Sequence, residues 1–257
     1  MIKLSVAIIT FNEEDKIGRC LDSIAAIADD IVVVDSFSTD KTQEICLNRN
    51  VRFIQNKFEG HIEQKNFALA QAKFDHVLSL DADECLSDEL QQSIANTKNN
   101  WLADGYYMNR LSNYCGKWIH HCGWYPDRKL RLLDRHTGRW GGENPHDKII
   151  MNEGTTVCHL KGDILHYTID SIEAHKLQIE KFTTISAEQM FKRGKKVAYI
   201  TIPFRALVSF LKSYLIQLGF LDGYYGFIIC SLGAKYTWLK YYKLLKLNYN
   251  KYAHTTP

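Results

Sequence analysis

Three short apolar runs stand out early in the chain, at residues 6–9, 31–34 and 77–80. Each is continuous and rich in Val, Ile or Leu, the pattern of a strand covered on both faces. Residues 51–55 make a fourth, weaker strand-like segment. Between the runs the apolar positions change to helical spacing. Residues 13–28 carry Ile17, Leu21, Ile24 and Ile27, residues 39–49 follow a capping Asp40, and residues 62–72 turn Phe67 and Ala68 inward. Strand and helix alternating in this order predict an α/β architecture, a mostly parallel, Rossmann-like sheet flanked by helices.

The pattern breaks at about residue 101. From there to 162 the chain is rich in aromatics, Gly, His and Arg. Residues 105–111 and 129–133 read as strands, and the rest as long loops, where a scaffold carries its specificity. Residues 171–192 return to helical spacing. The tail is an amphipathic helical extension, with Phe204, Leu207, Val208, Leu211, Leu215 and Leu218 on one face. Its longest charge-free apolar runs, 213–221 and 223–234, fall short of the ~20 residues that span a bilayer. The expected division is a catalytic domain over 1–195, with a nucleotide-binding half to about 100 and an acceptor half from 101, and a tail over 196–257.

Charge sharpens the picture of the tail. From residue 192 onward there are eleven Lys or Arg and one acid, Asp222, whereas the preceding part holds 21 bases and 28 acids. Lysines interleaved with Tyr236, Trp238, Tyr241, Tyr242 and Tyr249 form an interfacial membrane signature. Two readings fit: the tail lies on an anionic membrane surface, or it packs on the catalytic domain or a second subunit. Nucleic acid would also meet the charge, but no known RNA-binding motif is present, and none is expected as partner. Seven cysteines form no CxxC pair, and the N-terminus enters a strand without a leader pattern, so a reduced, cytoplasmic location is expected.

Candidate chemistry gathers where the apolar runs end. In an open parallel sheet, ligands bind beyond the carboxyl ends of the strands. The first strand delivers Thr10, Asn12 and Glu13, the second Asp35, and the fourth Asp81-Ala82-Asp83. Two carboxylates two residues apart past a strand end can converge on one hard cation, Mg²⁺ or Mn²⁺, which then takes diphosphate oxygens as further ligands. The competing structural role is a cap, supplied by Asp83 or Ser87, for a helix that starts near Asp88.

Segments 6–14, 31–42, 64–66 and 80–84 together resemble the GT-A-fold glycosyltransferases of family 2, in the family's order and spacing. The chain looks most like the bacterial branch that includes lipopolysaccharide core β-1,4-glucosyltransferases, and that similarity reaches into the tail through residues 210–214 and 219–223. The resemblance implies an inverting, metal-dependent hexosyltransferase with a UDP-sugar donor and a glycan or glycolipid acceptor, working at the cytoplasmic face of the inner membrane. Glucose onto the lipopolysaccharide inner core is the branch's suggestion, with capsule or another envelope glycan as the alternative. It implies that Thr10, Asn12 and Glu13 line the nucleotide pocket, and that Asp35 contacts uracil or ribose. Lys65 would stand near the phosphates, Asp81 and Ala82 by the ribose and donor sugar. Asp83 would be the main metal ligand, completed by His166.

An inverting transferase also needs a carboxylate within reach of the acceptor hydroxyl. The family places it after a glycine-containing loop, where residues 141–147 offer Asp147 first and Glu143 second. Asp147 stands where the branch has Glu, a departure that shortens the reach. Trp118, Trp124, Tyr125 and Trp140 are the aromatics available to stack on acceptor sugars. A nucleotidyltransferase making the sugar donor is the rival reaction. Its usual Gly-rich, basic phosphate loop is replaced here by the acidic, glycine-free segment 10–14. A non-catalytic protein acting through its basic tail is the rival outside enzymes.

Overall fold

The computed structural model describes residues 1–143 and 146–253, with side chains for all of these but 143, 146 and 250–253. Strands β1 (Leu4–Thr10), β2 (Asp30–Asp35), β3 (Arg52–Gln55) and β4 (His76–Asp81) form a parallel block in the spatial order β3-β2-β1-β4. The register pairs Thr10 with Asp35 and Ile9 with Asp81, so the polar ends of three strands lie side by side on one edge.

Why the runs are apolar throughout is visible in what covers them. Side chains alternate between the two faces of a strand. Val6, Ile8, Leu78 and Leu80 pack against Ile17, Leu21 and Ile24 of α1 (Ile17–Ile24) and Leu90 and Ile94 of α4 (Asp88–Asn99). Ala7, Val32, Val34 and Val77 face the other way, onto Ala68 and Leu69 of α3 (His61–Ala70). Each fully buried Leu or Ile contributes about 2 kcal/mol, so both faces anchor the edge that carries the polar residues.

The helices are shorter than their apolar spacing predicts. Residues before Ile17 form a turn in which Ile17 N donates to the Glu13 carbonyl. The helix expected from 39 is α2 (Thr42–Asn48), because the Asp40 carboxylate accepts from the Glu14 and Thr42 amides and ties two loops together ahead of it. At α4 the cap is Ser87, whose Oγ accepts from Leu90 N, which leaves Asp83 free of capping.

The middle of the chain corrects the expectation of long loops. It is built from β5 (Glu84–Leu86), β6 (Gly105–Tyr114), β7 (Lys117–Ile119), β8 (Asp127–Asp134), the hairpin β9 (Gly138–Glu143) with β10 (His146–Met151), and β11 (Val157–Ile169). The sheet continues β4-β8-β6-β11-β5, with antiparallel pairing of β4 to β8, β8 to β6 and β11 to β5. The parallel block is thus continued by antiparallel strands. β6 and β8 contain the strands read at 105–111 and 129–133; the others mix charge, Gly and aromatics without clean alternation, which hid them. Gly162 shows the closeness of the packing: φ is +91°, and a Cβ there would come within 2.3 Å of Leu90 N.

The chain separates into two compact units, Met1–Leu111 with Pro126–Tyr167, and Ser112–Tyr125 with the chain from Thr168 on. In the second unit α5 (Ile172–Lys192) lies along α7 (Gly223–Ala253), as does α6 (Thr201–Leu211). Tyr114, Ile119, Cys122, Ile169, Ile229 and Cys230 make this second unit's core. Within it, buried Asp222 accepts from the backbone N–H of His121 at 2.9 Å, and Lys117 Nζ donates to the Asp222 carbonyl at 2.7 Å. Phe204, Leu207, Val208, Leu211, Leu215 and Leu218 are each at least 41% exposed, so the described residues leave this apolar face largely open. No single helix among the described residues is long and apolar enough to cross a membrane. Thr201–Ile216 and Gly219–Tyr249 reach that length and composition only as a pair bent by 72°.

Candidate active site

At the polar edge of the first unit, β1, β2 and β4 open onto a cavity of about 580 Å³. Six residues singled out from the sequence line it: Thr10, Glu13, Asp81, Ala82, Asp83 and His166. Ser36, Phe58 and His61 join them. Phe58 meets the His61 ring edge-on at 5.1 Å, and it and Phe11, also in the lining, are exposed aromatics at the mouth.

Asn12 stands just past the end of β1 and Asp35 at the end of β2. Asp35 is wholly buried, and its carboxylate accepts from Ser38 N at 2.8 Å and from the Ser38 hydroxyl. Asn12, at φ +53°, donates from its backbone to Ser38 Oγ and accepts from Thr39 N, both at 2.8 Å. Neither residue lines the cavity. Their polar atoms are spent joining the loops after β1 and β2, which fixes the wall that Thr10 and Glu13 form.

Asp83 and His166 come together although 83 residues separate them. His166 Nε2 stands 3.1 Å from Asp83 Oδ2, and the neighbouring Tyr167 N donates to the Asp83 carbonyl at 2.9 Å. The pairing of β11 with β5, which sets His166 opposite Glu84, positions the imidazole. His166 Nδ1 is buried without a hydrogen-bond partner among the described residues. An oxygen and a nitrogen donor converging at one cavity wall fit a divalent cation that takes its other ligands from diphosphate and water. No group of three or more such side chains occurs among the described residues, so a cation here would draw only part of its shell from the protein.

Asp81 faces a second environment. Lys65 Nζ lies 3.0 Å from Asp81 Oδ1 and 2.8 Å from Asp147 Oδ2, and Arg131 Nη2 is 3.3 Å from Asp81 Oδ2. Burial works against ionisation of Asp81. The Lys65 ammonium and the Arg131 guanidinium overrule it and hold the carboxyl well below the usual carboxylate range. Arg131 is itself pushed up, against its own burial, by Glu84, Asp81 and Asp147. Fully buried Glu84 completes the network, accepting from Arg131 at 2.8 Å and from the Asp81 amide at 3.0 Å.

Lys65, expected near the phosphates, makes two ion pairs in this structure. It is 4% exposed and bridges Asp81 to Asp147, the carboxylate expected as base. Its alternative, Glu143, has its side chain outside the described residues. Trp140 stands beside the same network. It is buried, its backbone exchanges two hydrogen bonds with the Asn66 amide, and Lys65 and Arg131 stand 4.4 and 5.0 Å from its ring centre. Trp118, Trp124 and Tyr125 belong to the second unit and line neither this cavity nor the one beside Asp147. Trp124 meets Tyr114 edge-on at 5.9 Å in that unit's core. Arg131 went unnoticed in the sequence, and Glu84 was read only as part of the strand-end segment 80–84, since a salt bridge across 47 positions leaves no local signal.

Residues 5–150, more than half of the chain, match the profile of Glycosyl transferase family 2. The chain belongs to this family. It is a glycosyltransferase, and the parallel block extended by antiparallel strands is its GT-A fold. It is 30% identical over 260 aligned residues to an uncharacterized glycosyltransferase of Rickettsia typhi, covering 96% of this chain and 88% of that one. It is 29% identical over 250 residues to the lipopolysaccharide core biosynthesis glycosyltransferase LpsC of Rhizobium meliloti, covering 93% and 90%. Among solved structures, S. aureus TarS 1-349 in complex with UDP-GlcNAc superposes with a TM-score of 0.48 at 16% identity, over 97% of this chain and 92% of that one.

Proposed function

We propose that this family 2 transferase is an inverting enzyme. It moves a hexose, glucose from UDP-glucose, onto a cell-envelope glycan such as the lipopolysaccharide inner core. The observation that carries this reading is the position of Asp81, which lines both the strand-end cavity and, through Lys65, the surroundings of Asp147. Donor and acceptor sides of one reaction would meet there. The relationship to LpsC supports the choice of acceptor.

Thr10, Glu13 and Ser36 form the wall for the nucleotide, with Phe11 and Phe58 at its mouth to cover the base. Asp83 and His166 would hold Mg²⁺ or Mn²⁺, which when bound would neutralise charge building on the departing diphosphate. Asp147 takes the proton from the acceptor hydroxyl as the oxygen attacks the anomeric carbon from the face opposite the diphosphate. Lys65, donating to Asp147 Oδ2, orients that carboxylate and leaves its other oxygen to the acceptor. Asp81 holds Lys65 in place from the donor side.

We place the enzyme at the cytoplasmic face of the inner membrane. Support comes from the exposed apolar residues of α6 and the turn after it, which carry Arg205 and Lys212 beside them, and from the lysines interleaved with tyrosines along α7.

A screen of UDP release across sugar nucleotides, with and without core oligosaccharide, tests the reading. UDP-glucose should give the highest rate, rising with acceptor. Pyrophosphate production, or no UDP release from any sugar nucleotide, would overturn it.

A further inference from the structure

Beside Asp147, on the far side of Asp81 from the Asp83–His166 pair, lies a second cavity of about 590 Å³. Among the described residues six cations line it, Lys65, Arg110, Arg128, Lys129, Arg131 and Lys148, against two carboxylates, Asp81 and Asp147. The other acids of the network do not neutralise all of this charge. Arg110 and Lys129 share Asp127, at 2.8 and 3.0 Å, while Lys65 and Arg131 are held by Asp81, Glu84 and Asp147. Arg128 and Lys148 are exposed and have no carboxylate partner among the described residues.

Arg131 adds a sharper observation. It is 3% exposed, yet its Nε and Nη1 have no hydrogen-bond acceptor among the described residues. A guanidinium N–H buried without an acceptor costs about 1–3 kcal/mol or more, so such a group calls for a ligand that accepts from it. Nη2 is taken by Asp81 and Glu84, so Nε and Nη1, on different edges of the guanidinium, each have a hydrogen bond to offer, and with further cations around them they suit an oxyanion.

The donor's diphosphate is not the natural occupant. Neither Asp83 nor His166 lines this cavity, while Asp147 does. We propose that the second cavity is an anion subsite of the acceptor. It would hold a phosphate or carboxylate carried by the acceptor glycan close to the hydroxyl that receives the sugar. This deepens, and rests on, the transferase reading. The subsite makes negative charge on the acceptor a requirement for binding, supplied by Arg128 and Lys148 at the rim and Arg131 at the floor.

The test is equilibrium binding, by calorimetry in the presence of UDP, of a deacylated lipopolysaccharide core oligosaccharide. Three preparations are compared: untreated, dephosphorylated with hydrofluoric acid, and carboxyl-reduced. The wild type should bind the untreated oligosaccharide, and one of the two treatments should weaken binding at least tenfold, which identifies the oxyanion. The Arg128→Ala/Lys148→Ala variant, altered only at exposed positions, should bind the untreated form at least tenfold more weakly. It should also lose most of the discrimination between preparations. Equal binding of the three preparations by the wild type, wild-type affinity in the variant, or no oligosaccharide binding while UDP binds would each overturn the subsite. Absence of UDP binding to the wild type would instead count against the transferase reading itself.

Discussion

Among the residues, Asp147 carries the heaviest demand. Its carboxylate is 12% exposed and held by Lys65 at 2.8 Å, an arrangement that fixes direction at the cost of mobility. Asp147→Asn keeps the shape and removes the proton acceptor. Transfer should fall about 10²–10⁴-fold, the usual worth of a positioned base, with UDP affinity unchanged by calorimetry. Unaltered transfer in this variant would move the base to another residue. Lys65 shows why one residue's role is hard to read from its neighbours in sequence. The family resemblance implied a place near the phosphates; two carboxylates, 16 and 82 positions away, hold the ammonium in this structure.

At the scale of elements, what joins the first strand to its neighbours also sets the response to acid. Asp29, just before β2, is partly buried, which would raise its carboxyl. The Lys98 side chain, the Leu4 amide and the Lys3 side chain prevail and hold it at about 2. A folded value below the ordinary ~3.9 means that this stability is present above about pH 4. It is lost as the pH falls from there toward 2. Solvent screening limits it to roughly 1 kcal/mol. Urea midpoints should therefore drop between pH 5 and pH 3, and Lys98→Met should make that drop smaller while lowering the midpoint at pH 7. An unchanged pH dependence in Lys98→Met would refute this account of the β1–α4 junction. The parallel half of the fold was legible because residues 6–9, 31–34 and 77–80 are buried on two faces and so are apolar throughout. The hairpin of β9 and β10 and strand β7 were not, since short strands such as Lys117–Ile119 carry Lys, Trp and Ile with no period to read. Asp81-Ala82-Asp83 was legible from its place at a strand end. The ion network behind it was not, being assembled by β8 and β10 from far along the chain.

For the whole molecule, the proposed division of labour is catalysis in the first unit and membrane attachment by the second. The exposed apolar face of α6 and the cations on α6 and α7 should make the full chain sediment with vesicles containing phosphatidylglycerol and less with neutral ones. Leu207→Glu/Leu215→Glu, both at positions more than half exposed, should release it without loss of folding. Equal sedimentation of this variant at moderate salt would argue that the face is covered by something other than lipid. Everything in the account converges on the claim that the Asp81–Asp83 strand end, with His166, holds a sugar nucleotide through a divalent cation. The most direct measurement is UDP affinity by calorimetry, with and without MnCl₂, in the wild type and in Asp83→Ala. Mn²⁺ should tighten UDP binding at least tenfold in the wild type and leave Asp83→Ala unchanged; an equal gain in both proteins would contradict the claim.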